Sequence, residues 1–287
     1  MSSTVAAGIR QVWMNGELRA EQETCVSPFD HGLLTGDGVF ETMVCYEGRL
    51  FAFTRHWRRL ERSGAVLGLE IPGLEELRAA SNEVLEGNGI GNGRLRITVT
   101  GGPAPLGSEK GNAGCTVLIA AAPLNPVPRK ARVAVVPYRR NEHGALTGHK
   151  TTSYGENVVA LAYAKARGAS EAIFGNTAGR LCEGTGSNVF LVSGGELMTP
   201  PLSDGCLPGV TRSLLLELSA RDGIGVREES LPLEALAEAS EAFLASTTRE
   251  VQAIEAVDGR ALAEAPGAIT QHLAHAFRAL AESDLDP

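Results

Sequence analysis

Lys150 stands in T-G-H-K-T-T-S-Y-G-E-N, Thr147 to Asn157, among glycines and small hydroxyl residues. An amine that acts as a nucleophile near neutral pH must be partly unprotonated. That asks for a desolvated or electropositive setting, and small neighbours leave room for a bulky covalent partner. A solvated loop lysine is the commoner reading of such a residue taken alone. Three other stretches offer complementary chemistry. In G-V-T-R-S-L-L-L-E-L, Gly209 precedes a helix whose first turn presents the amides of Val210, Thr211 and Arg212, a setting that favours an anion. In S-T-T-R-E-V, Thr247 and Thr248 follow the apolar strand A-F-L-A, where hydroxyls and turn amides can cradle a phosphate. In C-E-G-T-G-S-N-V-F-L-V, Glu183 precedes two glycines and a buried-looking strand, where a carboxylate could hold a protonated ring nitrogen.

Each stretch has a bland explanation: a capped helix, a Ser-Thr turn, a solvated turn glutamate. Together they describe the parts of a pyridoxal 5'-phosphate pocket, with a Schiff-base lysine, a phosphate anchor and a pyridinium partner. A non-catalytic carrier of that cofactor, or a protein that binds phosphorylated metabolites, would need the cradle but not Lys150 and Glu183 together.

The elements that position these residues follow from local pattern. Asn15-Gly16 between V-W-M and E-L, and Glu47-Gly48 between V-F-E-T-M-V-C-Y and R-L-F-A-F, predict two hairpins. Thr54 to Leu67 and Leu74 to Leu85 read as helices, the second ended by G-N-G-I-G-N-G. Strands return at R-L-R-I-T-V-T and T-V-L-I-A-A-A. The proline-rich P-L-N-P-V-P-R-K sustains neither helix nor buried strand. It divides the chain into a domain of residues 1–122, a linker of 123–130 and a domain of 131–287. The second half predicts a strand at A-R-V-A-V-V-P-Y and helices over Asn157 to Arg167, Val210 to Ala220 and Ala268 to Ala281. It also predicts short strands at E-A-I-F, R-L-C-E, S-N-V-F-L-V and E-L-M-T-P. Strands cluster within each half and do not alternate strictly with helices, so the fold class is α+β.

Composition narrows the partners. The chain has 287 residues and a net charge of -8 with no basic stripe, which argues against nucleic acid and for a small-molecule substrate. No apolar run approaches the ~20 residues of a membrane span, and M-S-S-T-V-A-A-G lacks the basic lead of a signal peptide. A soluble cytoplasmic protein is expected. Cys25, Cys45, Cys115, Cys182 and Cys206 are scattered and never in C-x-x-C spacing, so they read as small fillers, not as a disulfide framework or a metal site.

The ordered set D-H-G-L-L-T-G-D-G-V-F-E-T-M, R-H-W-R-R-L-E-R-S-G, H-K-T-T-S-Y-G-E-N-V, C-E-G-T-G-S-N-V-F, G-V-T-R and S-T-T-R-E-V resembles the class IV aminotransferase family over roughly Ser27 to Val251. That family, pyridoxal-phosphate fold type IV, includes D-amino-acid, (R)-amine and branched-chain aminotransferases and aminodeoxychorismate lyases. The resemblance implies a small N-terminal α/β domain, a larger C-terminal domain with a barrel-like strand arrangement, and a homodimer with active sites at subunit and domain interfaces. It implies that Lys150 forms the Schiff base and shuttles the proton. By the same match, Tyr154 bonds the cofactor's phenolic oxygen and Glu183 pairs with the pyridine nitrogen. Arg59 would bind the phosphate with the amides of Val210 and Thr211 and with Thr247 and Thr248, and Phe40 would line the substrate pocket.

Within the family the chain departs from the D-amino-acid pattern at one point. Those relatives carry T-R-G, whose arginine holds the substrate carboxylate, where this chain reads T-V-T-G-G and places Gly101. Arg139 and Arg140, Arg96, or a loop of a neighbouring subunit could supply that cation. Transamination of a D-amino acid or (R)-amine onto a keto acid is the expected reaction, since it needs only the shared machinery. The alternative is elimination of pyruvate from 4-amino-4-deoxychorismate to leave 4-aminobenzoate. A branched-chain L-amino-acid aminotransferase is the further option.

Overall fold

The computed structural model describes residues 10–287, so the M-S-S-T-V-A-A-G stretch lies outside the described residues. The chain forms two compact units. The first contains the residues up to Asn125, together with Lys150–Ser153 and Asp286. Its six strands are β1 (Gln11–Met14), β2 (Glu17–Ala20), β3 (Gly38–Tyr46), β4 (Arg49–Leu50), β5 (Gly93–Thr100) and β6 (Thr116–Pro123). Their order is β2-β1-β6-β5-β3-β4, and every pair is antiparallel. The two anticipated hairpins form for the anticipated reason. Asn15 and Gly16 at φ 49° and 100°, and Glu47 and Gly48 at 49° and 80°, adopt the left-handed pairs that match strand twist.

Besides the short α1 (His31–Leu34), this unit has α2 (Phe53–Leu67) and α3 (Leu74–Gly87). Alternation along β5 turns Leu95, Ile97 and Val99 into the core and leaves Arg94 and Arg96 exposed. On β3, Val39, Met43 and Cys45 join the same core, with Leu60 of α2 and Leu77 and Val84 of α3. Burying such a side chain contributes about 1.5–3 kcal/mol. The residues on the opposite side of β3 and β5, Phe40 opposite Thr98 and Thr42 opposite Arg96, share a face of the sheet.

The connection from β5 to β6 depends on Gly102. Its φ is +68°, and a Cβ there would lie 2.0 Å from the carbonyl oxygen of Gly114. Its own carbonyl accepts from the His31 amide at 3.0 Å. Gly102→Ala is expected to lower stability by about 1–3 kcal/mol, read as a shifted urea midpoint with an unchanged slope.

The second unit comprises Pro126–His149 and Tyr154–Leu285, with Pro287. It contains β7 (Lys130–Arg140), α4 (Gly155–Lys165), β8 (Glu171–Asn176), β9 (Leu181–Gly184), β10 (Asn188–Ser193), β11 (Glu196–Thr199) and α5 (Val210–Arg221). It continues with β12 (Val226–Glu228), α6 (Ala235–Glu238), β13 (Glu241–Ser246), β14 (Glu250–Val257), β15 (Arg260–Ala261) and α7 (Ala268–Ser283). The sheet runs β12-β11-β10-β13-β14-β7-β8-β9, with β15 on β14. It curls like a half barrel, and β9 returns close to β10. β7 pairs in parallel with both β8 and β14, and β11 with β12. A parallel pair needs a long crossover, supplied between β7 and β8 by α4. Phe190 and Phe243 face each other across β10 and β13 and stack at 4.9 Å, while Val189, Leu191 and Leu244, which alternate with them, join a core of Val, Leu and Ile from β7 to β14.

The α+β class with a curled C-terminal sheet is the expected one. Residues 124–129 carry neither helix nor strand. Helix ends differ from expectation by small amounts: α4 begins at Gly155 and ends at Lys165, because Gly168, at φ +73°, closes the turn that follows. Among the described residues no helix is long and apolar enough to cross a membrane.

Candidate active site

Lys150 is held by backbone pairing. The segment Lys150–Ser153 lies along β3: the Phe40 amide donates to the Lys150 carbonyl at 2.9 Å, the Thr152 amide donates to Gly38 at 2.8 Å, and Val39 and Thr151 form an antiparallel bridge. This pairing is why four residues from the middle of the chain belong with the first unit. The Lys150 amide donates to Ser63 Oγ of α2 at 3.1 Å. The hydroxyl of Thr152 reaches the Gly36 carbonyl at 3.0 Å. Small residues are needed here, because a Cβ on Gly36 would fall 2.6 Å from Ser153 Oγ. The Lys150 side chain then places Nζ 4.4 Å from the centre of the Phe40 ring, and the guanidinium carbon of Arg96 lies 3.6 Å from the same centre. The structure thus brings Lys150, Phe40 and Arg96 together.

Arg59 sits on α2 one turn before Ser63 and is buried. Its Nε and Nη2 donate to the two oxygens of Glu41 at 2.6 and 2.7 Å, and His56 Nδ1 donates to Glu41 Oε2 at 2.6 Å. Glu41 lies on the core side of β3 and has no exposed surface. Burial by itself would raise its pKa, but the charges of Arg59 and His56 and their hydrogen bonds outweigh that and hold the carboxyl well below the usual range. An ionised carboxylate only accepts, so Nδ1 carries the imidazole proton. Burial pushes the His56 pKa below its ordinary value; Glu41 opposes this, while Arg59 and Lys150 add to it. The cluster therefore holds one negative carboxylate, one guanidinium and an imidazole disfavoured in its charged form.

In the second unit Glu183 is the last residue but one of β9. Its Oε2 accepts from the Leu207 amide at 2.9 Å, and Oε1 lies 3.5 Å from Arg140 Nε. Arg140 also reaches Glu156 and Asn157 Oδ1 at 3.2 Å, and its guanidinium lies 4.2 Å from the centre of Phe174. Asn157 in turn donates to the Thr185 carbonyl. The glycine turn after Glu183 is tied to buried Glu171, which accepts from the amide and hydroxyl of Thr185 and from Arg249. Burial, followed by the Glu183 charge, pushes the Cys206 thiol up to about 12 and raises Cys182 as well. Both remain protonated and inert at neutral pH.

Leu207 leads into α5. Its carbonyl accepts from Asn188 Nδ2 at 2.9 Å. Gly209 is the N-cap of α5 and has no side chain to satisfy the first-turn amides. A Cβ there would strike Asn188 Oδ1 at 2.0 Å. The first-turn amides of Val210 and Thr211 thus lack a capping side chain at Gly209 and have the helix dipole behind them, a setting that favours an anion. Arg212 is committed elsewhere, to the Pro200 carbonyl at 2.9 Å and to Glu228 at 2.6 Å. Thr247 and Thr248 occupy the half-buried turn after β13. Asn188 lies opposite Ala245 of β13, so one asparagine borders both the α5 terminus and the strand that leads to the threonines. Tyr154 precedes α4 and is half-buried.

Of the arginines considered for a substrate carboxylate, Arg139 is exposed and donates to the Val136 carbonyl at 3.3 Å, whereas Arg140 belongs to the Glu183 cluster. At Gly101 a Cβ would meet Asp37 Oδ2 at 2.4 Å, and Lys110 approaches that oxygen at 3.3 Å. Glu41, His56, Ser63 and Asn188 were not singled out from the sequence. One signal was available for Glu41: it stands in phase with Val39, Met43 and Cys45, and a carboxylate on the core side of a strand calls for a buried partner.

The first unit offers a lysine amine, and the second a fixed carboxylate and a helix terminus that favours an anion; these donor types suit pyridoxal 5'-phosphate. Comparison with known proteins agrees. The chain is 31% identical to D-alanine aminotransferase of Staphylococcus haemolyticus over 283 residues, covering 95% of this chain and 98% of that one. Branched-chain aminotransferase from Thermoproteus uzoniensis, solved with norvaline, has 35% identity and a TM-score of 0.89, with 95% of each chain covered. The T.th. branched-chain amino acid aminotransferase, solved with pyridoxamine 5'-phosphate, has 26% identity and a TM-score of 0.88, covering 94% of this chain and 93% of that one. Residues 38–257, from the first residue of β3 to the last of β14, match the family described as Amino-transferase class IV, and this protein belongs to that family of pyridoxal-phosphate enzymes of fold type IV.

Proposed function

We propose that this enzyme is a transaminase that moves an amino group from a D-amino acid or an (R)-amine to a keto acid, with Lys150 as the amine that bonds the cofactor. The observation that carries the reading is the placement of Lys150, pinned through its amide to Ser63 and through its carbonyl to Phe40, with its ammonium over the Phe40 ring. Binding energy spent on such orientation lowers the entropic part of the barrier. The similarity to D-alanine aminotransferases supports the donor class. The same reading takes the enzyme as a cytoplasmic homodimer.

The cofactor, when bound, supplies an electron-accepting ring that makes the donor's α-proton removable. Arg59, the amides of Val210 and Thr211, and the hydroxyls of Thr247 and Thr248 are the residues that would hold its phosphate. Glu183, oriented by Leu207 and Arg140, would hold the proton on the ring nitrogen. Tyr154 would donate to its phenolic oxygen. With the cofactor bound, Lys150 would be the group that accepts and releases the donor's α-proton at Nζ, a transfer that needs hydrogen-bond reach and a partly neutral amine. Phe40 walls the pocket beside Nζ, and Arg139 and Arg140 are the cations considered for the substrate carboxylate.

A second reading, an L-selective branched-chain aminotransferase, is favoured by the 35% identity to the Thermoproteus enzyme. A third, the aminodeoxychorismate lyase, uses the same lysine. The visible absorption of the purified holoenzyme separates them. Bleaching by D-alanine or an (R)-amine, with return on adding 2-oxoglutarate, is the expected result. Bleaching by L-leucine and not by D-alanine would shift the assignment to the second reading. A band that neither donor moves, with pyruvate released from aminodeoxychorismate, would make the protein a lyase. Absence of any band would end the Schiff-base assignment of Lys150.

A further inference from the structure

We infer that Glu41 is a positioning residue whose task is to aim Arg59 at the cofactor phosphate. The inference rests on the reading of Arg59 as a phosphate-binding residue. Glu41 takes both Nε and Nη2 of Arg59, so one edge of the guanidinium is fixed in plane by two parallel bonds of 2.6 and 2.7 Å. Such fork-to-fork pairing fixes orientation as well as distance. His56 Nδ1 donates at 2.6 Å to Oε2, the oxygen that also accepts from Arg59 Nη2, and so further restrains the carboxylate.

Stability alone does not account for this cluster. All three side chains are almost entirely removed from solvent, and a buried ion pair is often no more stabilising than well-packed apolar residues of the same volume. Its neighbours on β3 and α2, Val39, Met43 and Leu60, are such residues. What a charged triad adds is a single geometry. The helix that carries Arg59 also carries Ser63, which receives the Lys150 amide. One turn of α2 thus links the orientation of the arginine to the backbone of the reactive lysine, and Glu41 sets that turn against β3, where Phe40 bonds the Lys150 carbonyl.

The test compares two cofactor forms on the full-length chain: pyridoxal 5'-phosphate, followed by its release from the holoenzyme and by reloading, and pyridoxal, which lacks the phosphate. For the wild type the phosphorylated form should bind more tightly. Glu41→Gln keeps the shape and one acceptor oxygen, and should reduce the affinity ratio of the two forms about 10-fold or more, while pyridoxal alone binds as before. A purely structural role would weaken both forms alike, so an unchanged ratio overturns the inference. Because Glu41→Gln leaves Arg59 buried beside a neutral group and could impair folding, a double-mutant cycle provides the second check. Arg59→Gln should lower the ratio by itself, and adding Glu41→Gln to it should lower the ratio no further. Independent, additive losses would also overturn the inference. A wild type that does not distinguish the two forms would overturn the phosphate role of Arg59 together with that of Glu41, an outcome distinct from failure of Glu41 alone.

Discussion

Lys150→Ala is expected to abolish the visible absorption of the lysine-bound cofactor and to reduce turnover about 10³-fold or more. On the proposed reading two roles disappear with one side chain: the covalent attachment and the proton transfer at Nζ. The backbone bonds of residue 150 should survive, because those to Ser63 and Phe40 use its amide and carbonyl. The variant should therefore fold and keep phosphate-dependent affinity for the cofactor. Its folded state gives up the placement of Nζ over Phe40, a contact that at a half-buried site contributes about 0.5–1 kcal/mol. An added small primary amine, which can enter the space left by the side chain, should restore part of the turnover. A variant that turned over at the wild-type rate, or that kept the absorption band, would place the reactive amine elsewhere.

The second large effect is expected at Glu183. Glu183→Gln keeps an oxygen to accept the Leu207 amide, now 2.9 Å from Oε2, but it removes the charge that Arg140 meets at 3.5 Å. On the proposed reading, with no carboxylate to hold a proton on the ring nitrogen, the cofactor would lose most of its capacity to stabilise the electrons released from the donor carbon. Turnover should fall about 10²-fold or more, with the absorption band still present because Lys150 is intact. That split between a retained band and a lost rate distinguishes Glu183 from Lys150. Loss of the band together with the rate would instead mean that Glu183 serves only to hold the loop entering α5, through Leu207.

Much of this architecture was legible along the chain because its causes are local. The left-handed pairs Asn15-Gly16 and Glu47-Gly48 announce the hairpins, and the apolar spacing of α2, α3 and α7 announces helices whose observed spans lie within a few residues of expectation. The candidate chemistry was legible too, since a lysine among small residues, a glycine before a helix and a glutamate at the end of a strand can be recognised one at a time. The parallel pairing of β7 with β8 and β14 was not, because strand propensity does not specify a partner and every buried strand in this sheet reads as a similar apolar run.

Residue types and local conformation were thus determined by the sequence alone, and with them the family and its cofactor. Tertiary structure decided which charges meet. Arg59 finds Glu41 18 positions away, and the Lys150 amide finds Ser63 87 positions away. Arg140, considered from the sequence as a substrate cation, is drawn to Glu183 and Asn157. A charge removed from water must be compensated by whichever group the fold brings within a few ångströms, and that choice depends on the pairing of strands distant in sequence, which no local pattern encodes.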